Sequence, residues 1–97
     1  MGLTITINDD SFDQSSTQGV GGETVTFTSN RSKDVRVTLD SGFFNKDSIT
    51  VSPGGSKTAS IKKGITNGTG TFSAPKVGSS SDRQDTMQGE IIVGTGP

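Results

Sequence analysis

The densest group of residues that could bind a metal ion lies close to the N-terminus. Asn8, Asp9, Asp10 and Asp13 place amide and carboxylate oxygens within one short segment. Calcium takes about six to eight hard oxygen donors, so these four residues are candidates for a calcium site. Their spacing is not that of an EF-hand loop and the closing glutamate is missing, while the same residue types also form ordinary turns and strand ends. The sequence leaves both interpretations open.

The residues of most catalytic sites are missing. The 97-residue sequence contains no Cys and no His, so it has no Ser-His-Asp triad, no thiol nucleophile and no thiolate or imidazole metal ligand. Two carboxylates could hydrolyse a glycoside, but sugar sites generally use Trp or Tyr, and neither residue type is present. The glycine pairs are turn signals and not phosphate-binding loops, because no helical pattern follows them. We therefore expect a protein that is not an enzyme and has no cofactor.

Charge and hydropathy restrict the class of partner. The formal net charge is -1, and the nearest approach to a basic patch, formed by Arg31, Lys33 and Arg36, is interrupted by Asp34. Nucleic-acid binding needs a concentrated basic surface, so we expect no nucleic-acid partner and interpret the three basic residues as a solvated strand edge. No apolar run approaches the roughly 20 residues of a membrane span, so no such span is expected.

Alternating apolar and polar residues predict an all-β domain. The predicted strands cover residues 3–7, 23–28, 34–39, 48–51, 57–62, 70–74 and 88–93. Phe12 is expected to plug an end of the core, and Pro53-Gly54-Gly55 is the strongest turn signal. A chain of 97 residues is expected to form one domain over residues 1–97, with 94–97 as a linker or tail. Short strands at this regular spacing predict a β-sandwich.

Five sequence landmarks also occur in an informative order. Ile5-x-Ile7 and Phe12 come first, followed by GETVTFTSN at 22–30, VSPGGS at 51–56, GTGTFSA at 68–74 and MQGEIIV at 87–93. This order resembles that of the cupredoxins, the plastocyanin-like blue-copper proteins, and the resemblance covers nearly the whole chain. It implies a cupredoxin-like Greek-key β-sandwich of about seven to eight strands.

The resemblance indicates where a copper site would lie, but this sequence lacks most of the residues that would bind the metal. Asp34 matches the first His of the family, Ala74 the Cys and Met87 the axial Met, while the second His has no counterpart. A blue-copper centre needs a thiolate, two imidazoles and a weak axial thioether, so the three positions are degenerate and no metal is expected. Met87 is interpreted as a flexible apolar plug at the end of the core, and Gly89 as a close turn into the last strand.

The family's topology brings two loops, 29–34 and 76–86, to the end of the domain where the copper would lie. The candidates for binding in these loops are Arg31, Lys33, Asp34, Lys76, Asp82, Arg83 and Asp85. We expect a metal-free module with a non-catalytic binding or structural role, whose partner is another protein or neighbouring domains of the same chain. Its expected location is extracytoplasmic, in a secreted, periplasmic or cell-surface protein, with a signal peptide that is not in this chain.

An alternative remains open at this stage. The same strand pattern suits an immunoglobulin-like or adhesin-type β-sandwich, stabilised by calcium at residues 8–13. Strand pairing separates the two folds, because the cupredoxin-like topology predicts that the first and third strands pair in parallel and that the last strand runs parallel to the first.

Overall fold

The computed structural model describes residues 2–9, 11–76 and 86–94. Over these residues the chain forms eight strands and no helix, which confirms the predicted all-β class. The strands are β1 (Leu3–Ile7), β2 (Ser16–Gly19), β3 (Thr24–Ser29), β4 (Val35–Leu39), β5 (Ser48–Val51), β6 (Ser56–Ser60), β7 (Gly68–Pro75) and β8 (Thr86–Val93). Seven of them match the predicted strands, with ends that differ by at most two residues.

The strands form two sheets that pack as a sandwich. One sheet has the order β1-β3-β6, and the other has the order β2-β8-β7-β4-β5. β1 runs parallel to β3, and β8 runs parallel to β2 and antiparallel to β7. The three remaining pairs, β3–β6, β4–β5 and β4–β7, are antiparallel. Because side chains alternate along a strand, each sheet has one inward and one outward face.

The structure confirms the parallel pairing that the cupredoxin-like topology predicts for the first and third strands, because β1 pairs with β3. The sequence-based list counted β3 as the second strand, since it omitted β2. The parallel partner of the last strand, β8, is β2 of the same sheet. After β1 the chain crosses to the second sheet, where Ser16–Gly19 pairs with β8. The sequence STQG carries no apolar alternation, and of its four residues only Gly19 is buried.

A group of aromatic rings fills the space between the sheets. Phe72 of β7 forms T-shaped contacts with Phe12 and Phe27, whose ring centroids lie 4.7 and 5.3 Å away. Phe12 is buried, as expected for a core plug. Phe43 and Phe44, which the sequence left unassigned, are buried as well. Such edge-to-face contacts add to the free energy gained from burying the rings.

Gly89 has a different role from the one predicted. It lies inside β8, directly opposite Phe72, and not at a turn into the strand. A Cβ atom at this position would overlap the ring of Phe72. Glycine is therefore required here by close packing, because it leaves the space that the central aromatic ring occupies.

We predict that Gly89→Ala lowers the free energy of unfolding by about 1–3 kcal/mol, because the added methyl group overpacks the core against Phe72. Equilibrium urea unfolding measures this change. Gly64→Ala is the matched control, since a Cβ atom there meets nothing within 4 Å and the expected change is within about 0.5 kcal/mol. Equal losses in the two variants would contradict the packing role of Gly89.

Candidate functional site

One end of the sandwich brings together the positions that match copper ligands. Ala74 of β7 lies directly opposite Met87 of β8 in the antiparallel pair. β4 is antiparallel to β7, so Asp34, which immediately precedes β4, lies at the same end. This end also contains residues 8–9, the loop 30–34 and the turn 52–55. We call it the Arg31 end, after the residue at its centre.

The three matched positions differ in their surroundings. Ala74 and Met87 are buried, with 2% and 4% of their surface exposed. Ala74 and Met87 therefore lie side by side in the core, a position that suits Met87 as an apolar plug. Asp34 is exposed to solvent.

Arg31 contradicts the expectation of a solvated edge. Only 8% of its surface is exposed, whereas Lys33 and Arg36 are exposed as predicted. Arg31 Nε donates a hydrogen bond to the carbonyl oxygen of Asn8 at 2.9 Å. Its Nη2 donates to the carbonyl oxygen of Asp9 at 3.3 Å and to Met87 Sδ at 3.2 Å. The guanidinium group therefore lies at the end of the core, against the sulfur that matches the axial ligand.

The backbone on both sides of Arg31 is held in place. The Arg31 amide donates to Ser29 Oγ at 3.1 Å, a short-range side-chain contact that shapes the loop. The Ser29 amide donates to the carbonyl oxygen of Gly55 at 3.0 Å, and the Asn30 amide donates to that of Ile7 at 2.9 Å. The loop is thus fixed to β1 on one side and to the Pro53-Gly54-Gly55 turn on the other, and this directs the Arg31 side chain inward.

The charge of Arg31 persists in spite of its burial. Desolvation lowers the pKa of Arg31 below its usual value, while the nearby Asp9 carboxylate acts in the opposite direction. The usual pKa of an arginine lies so far above neutral pH that the guanidinium group of Arg31 remains protonated. The Arg31 end therefore holds a permanent positive charge beside the Met87 sulfur.

Oxygen atoms of the segment 8–13, the candidate calcium site, accept hydrogen bonds from other residues of the protein. Asp13 Oδ1 accepts a hydrogen bond from the Thr6 amide at 2.8 Å, and Asn8 Oδ1 accepts one from Asn30 Nδ2 at 3.2 Å. The carbonyl oxygens of Asn8 and Asp9 accept from Arg31, and Asp10 lies outside the described residues. In the part of the chain that the structure describes, no group of three or more His, Cys, Asp or Glu residues is placed to hold a metal ion. These contacts favour the interpretation of the segment as a turn and strand end.

The remaining binding candidates divide into two sets. Lys33 and Asp34 are exposed at the Arg31 end, and Lys76 is half-buried. Asp82, Arg83 and Asp85 lie outside the described residues.

A depression of about 270 Å³ borders this end, on the outer face of the larger sheet. It is lined by Arg36, Thr38, Ser73, Ala74, Pro75 and Thr86.

Two further depressions lie elsewhere on the surface. One of about 510 Å³ is formed around Gly19, Val20 and Ile65, and one of about 450 Å³ includes Asp47. None of the three depressions is lined by two carboxylates, which acid–base hydrolysis of a glycoside would need. Over the described residues, no helix has the length and apolar character needed to cross a membrane.

We predict that Arg31→Met lowers the free energy of unfolding by about 1–3 kcal/mol, because the part-buried hydrogen bonds to the carbonyl oxygens of Asn8 and Asp9 and the buried contact with Met87 Sδ are lost. Urea unfolding measures the change. Lys33→Met is the control in the same loop, where the exposed side chain should cost no more than about 0.5 kcal/mol. If both variants lost the same stability, Arg31 would have no special structural role.

Comparison with known proteins supports the fold. No protein-family model and no curated protein sequence matches the chain. Similar solved structures are point mutants of amicyanin: a reduced Cu(I) form at pH 4 with 13% identity, a second Cu(I) structure with 12% identity and an oxidised structure with 12% identity. Each has a TM-score of 0.65 and covers 95% of this chain and 81% of the amicyanin chain.

At this level of identity the likeness concerns the arrangement of the backbone. Together with the eight described strands in two sheets, it shows that the chain has a cupredoxin-like fold.

Proposed function

We propose that this protein is a metal-free cupredoxin-like module with a non-catalytic binding or structural role. The observation that carries this proposal is the contact of 3.2 Å between Arg31 Nη2 and Met87 Sδ. At the end of the fold where a copper ion would need the sulfur, a charged side chain of the protein is already bound to it.

Electrostatics opposes a second cation at this position. A unit positive charge about 4 Å from the guanidinium would be opposed by roughly 4 kcal/mol at the effective dielectric constant of a protein surface. A metal ion could offset this only with strong anionic or imidazole donors. Ala74 presents a methyl group, Asp34 is exposed, and the sequence supplies neither thiolate nor imidazole. The residues at the Arg31 end therefore do not fit a type 1 copper centre.

The geometry of this end suits a binding surface better than a reaction site. Arg31 is turned inward, while its neighbours Lys33 and Asp34 are exposed and present one charge of each sign. A surface of mixed charge suits another protein or a neighbouring domain, because opposite charges fix the orientation of a polar interface. The resemblance to cupredoxins also supports an extracytoplasmic location, a prediction that fractionation of the source cells would check.

We predict that neither Cu(I) nor Cu(II) binds specifically at the Arg31 end. Titration of the ¹⁵N-labelled protein, followed through its backbone amide signals, should give no saturable shift or broadening at Asp34, Ala74 and Met87. A blue-copper protein titrated in parallel serves as the positive control. Saturable changes centred on Asp34 and Met87 would show that a copper site is present and would refute the proposal.

A further inference from the structure

We propose that the Arg31 end is a guanidinium-binding site whose occupant is the protein's own Arg31, and that this group performs the structural role that a bound metal ion would have there. The carbonyl oxygens of Asn8 and Asp9 and the sulfur of Met87 form the site. The inference deepens the proposed function, because it rests on the proposal that this end of the fold binds no metal.

The acceptors come from separate parts of the fold. Asn8 and Asp9 follow β1, which belongs to the three-stranded sheet, and Met87 lies in β8 of the five-stranded sheet. Arg31 itself lies in the loop that crosses from β3 in one sheet to β4 in the other. One planar group therefore connects both sheets and a crossing loop, just as a metal ion connects ligands that are distant in sequence.

The chemistry of the site matches a guanidinium group. Nε and Nη2 form one edge of the planar fork, and this edge faces the consecutive carbonyl oxygens of Asn8 and Asp9. Nη2 carries two N–H groups, so it can donate to both Asp9 and the Met87 sulfur. Guanidinium is less strongly hydrated than an ammonium group, and the thioether is a polarizable, weak acceptor. A lysine ammonium would lack the fork and would lose more hydration on burial.

Arg31 also positions the surface that we propose for binding. Its side chain and the Asn30 amide hold the loop against the end of β1, and the Ser29 amide holds it against Gly55. Lys33 and Asp34 remain exposed. Arg31 thus fixes the position of the loop that carries Lys33 and Asp34.

Chemical rescue tests the site directly. Arg31→Ala should remove the guanidinium and leave its three acceptors, which lowers the melting temperature. Methylguanidinium chloride at concentrations well below those that denature proteins should then raise the melting temperature of this variant by a few degrees in a saturable manner, as expected for a ligand that binds only the folded state. Methylammonium chloride at the same concentrations should have no such effect.

The control is Arg36→Ala, because Arg36 is an exposed arginine whose hydrogen-bond contact is Ser48 Oγ at 3.4 Å. Neither this variant nor the wild-type protein should gain stability from methylguanidinium. An equal gain in Arg36→Ala, an equal effect of methylammonium or the absence of any gain in Arg31→Ala would each overturn the inference.

A variant that does not fold remains informative. If Arg31→Ala is unfolded at room temperature, methylguanidinium should restore the dispersed amide spectrum of the folded domain, and failure to restore it would also overturn the inference. The copper titration asks a separate question. Specific copper binding would refute the metal-free proposal whatever the rescue shows, and a failed rescue would leave that proposal standing.

Discussion

The closure of one end of the sandwich depends on the buried guanidinium group of Arg31. At the end of two packed sheets, some backbone N–H and C=O groups have no partner on a neighbouring strand. These groups must form hydrogen bonds with other residues. Arg31 Nε and Nη2 satisfy the carbonyl oxygens of Asn8 and Asp9, and Nη2 also contacts Met87 Sδ. In this way Arg31 joins the first sheet, the second sheet and the loop between them at one point, in a sequence that has no Cys and therefore no disulfide.

The aromatic cluster of the core lies next to this end. Phe72 lies two residues before Ala74 in β7, and its ring forms edge-to-face contacts with Phe12 and Phe27. Gly89, two residues after Met87, leaves room for that ring. The apolar core and the arginine site are therefore adjacent layers of one packing arrangement, in which Ala74 and Met87 form the boundary.

Much of the fold could be predicted from the sequence, because alternation of apolar residues is a local signal. Strands such as β3 and β4 show it clearly. β2 has no such signal, since its sequence STQG is held in place by pairing with β8. The burial of Arg31 could not be predicted for a similar reason. Arginine is rarely buried, and two of its three acceptors are backbone carbonyl oxygens, which every residue carries. The family resemblance correctly indicated the fold, but it could not indicate that Arg31 occupies the end where the copper ligands are matched.

The most direct test of this account is the hydrogen exchange of arginine side chains, measured by NMR on the unmodified protein. Arg31 is buried as a residue and its Nε–H donates a hydrogen bond to the carbonyl oxygen of Asn8 at 2.9 Å, whereas Arg36 is exposed. We predict that the Arg31 Nε–H exchanges with solvent at least about tenfold more slowly than that of Arg36, because exchange requires the Arg31 end to open. Equal exchange rates for the two groups would show that Arg31 is solvated and would contradict the central claim.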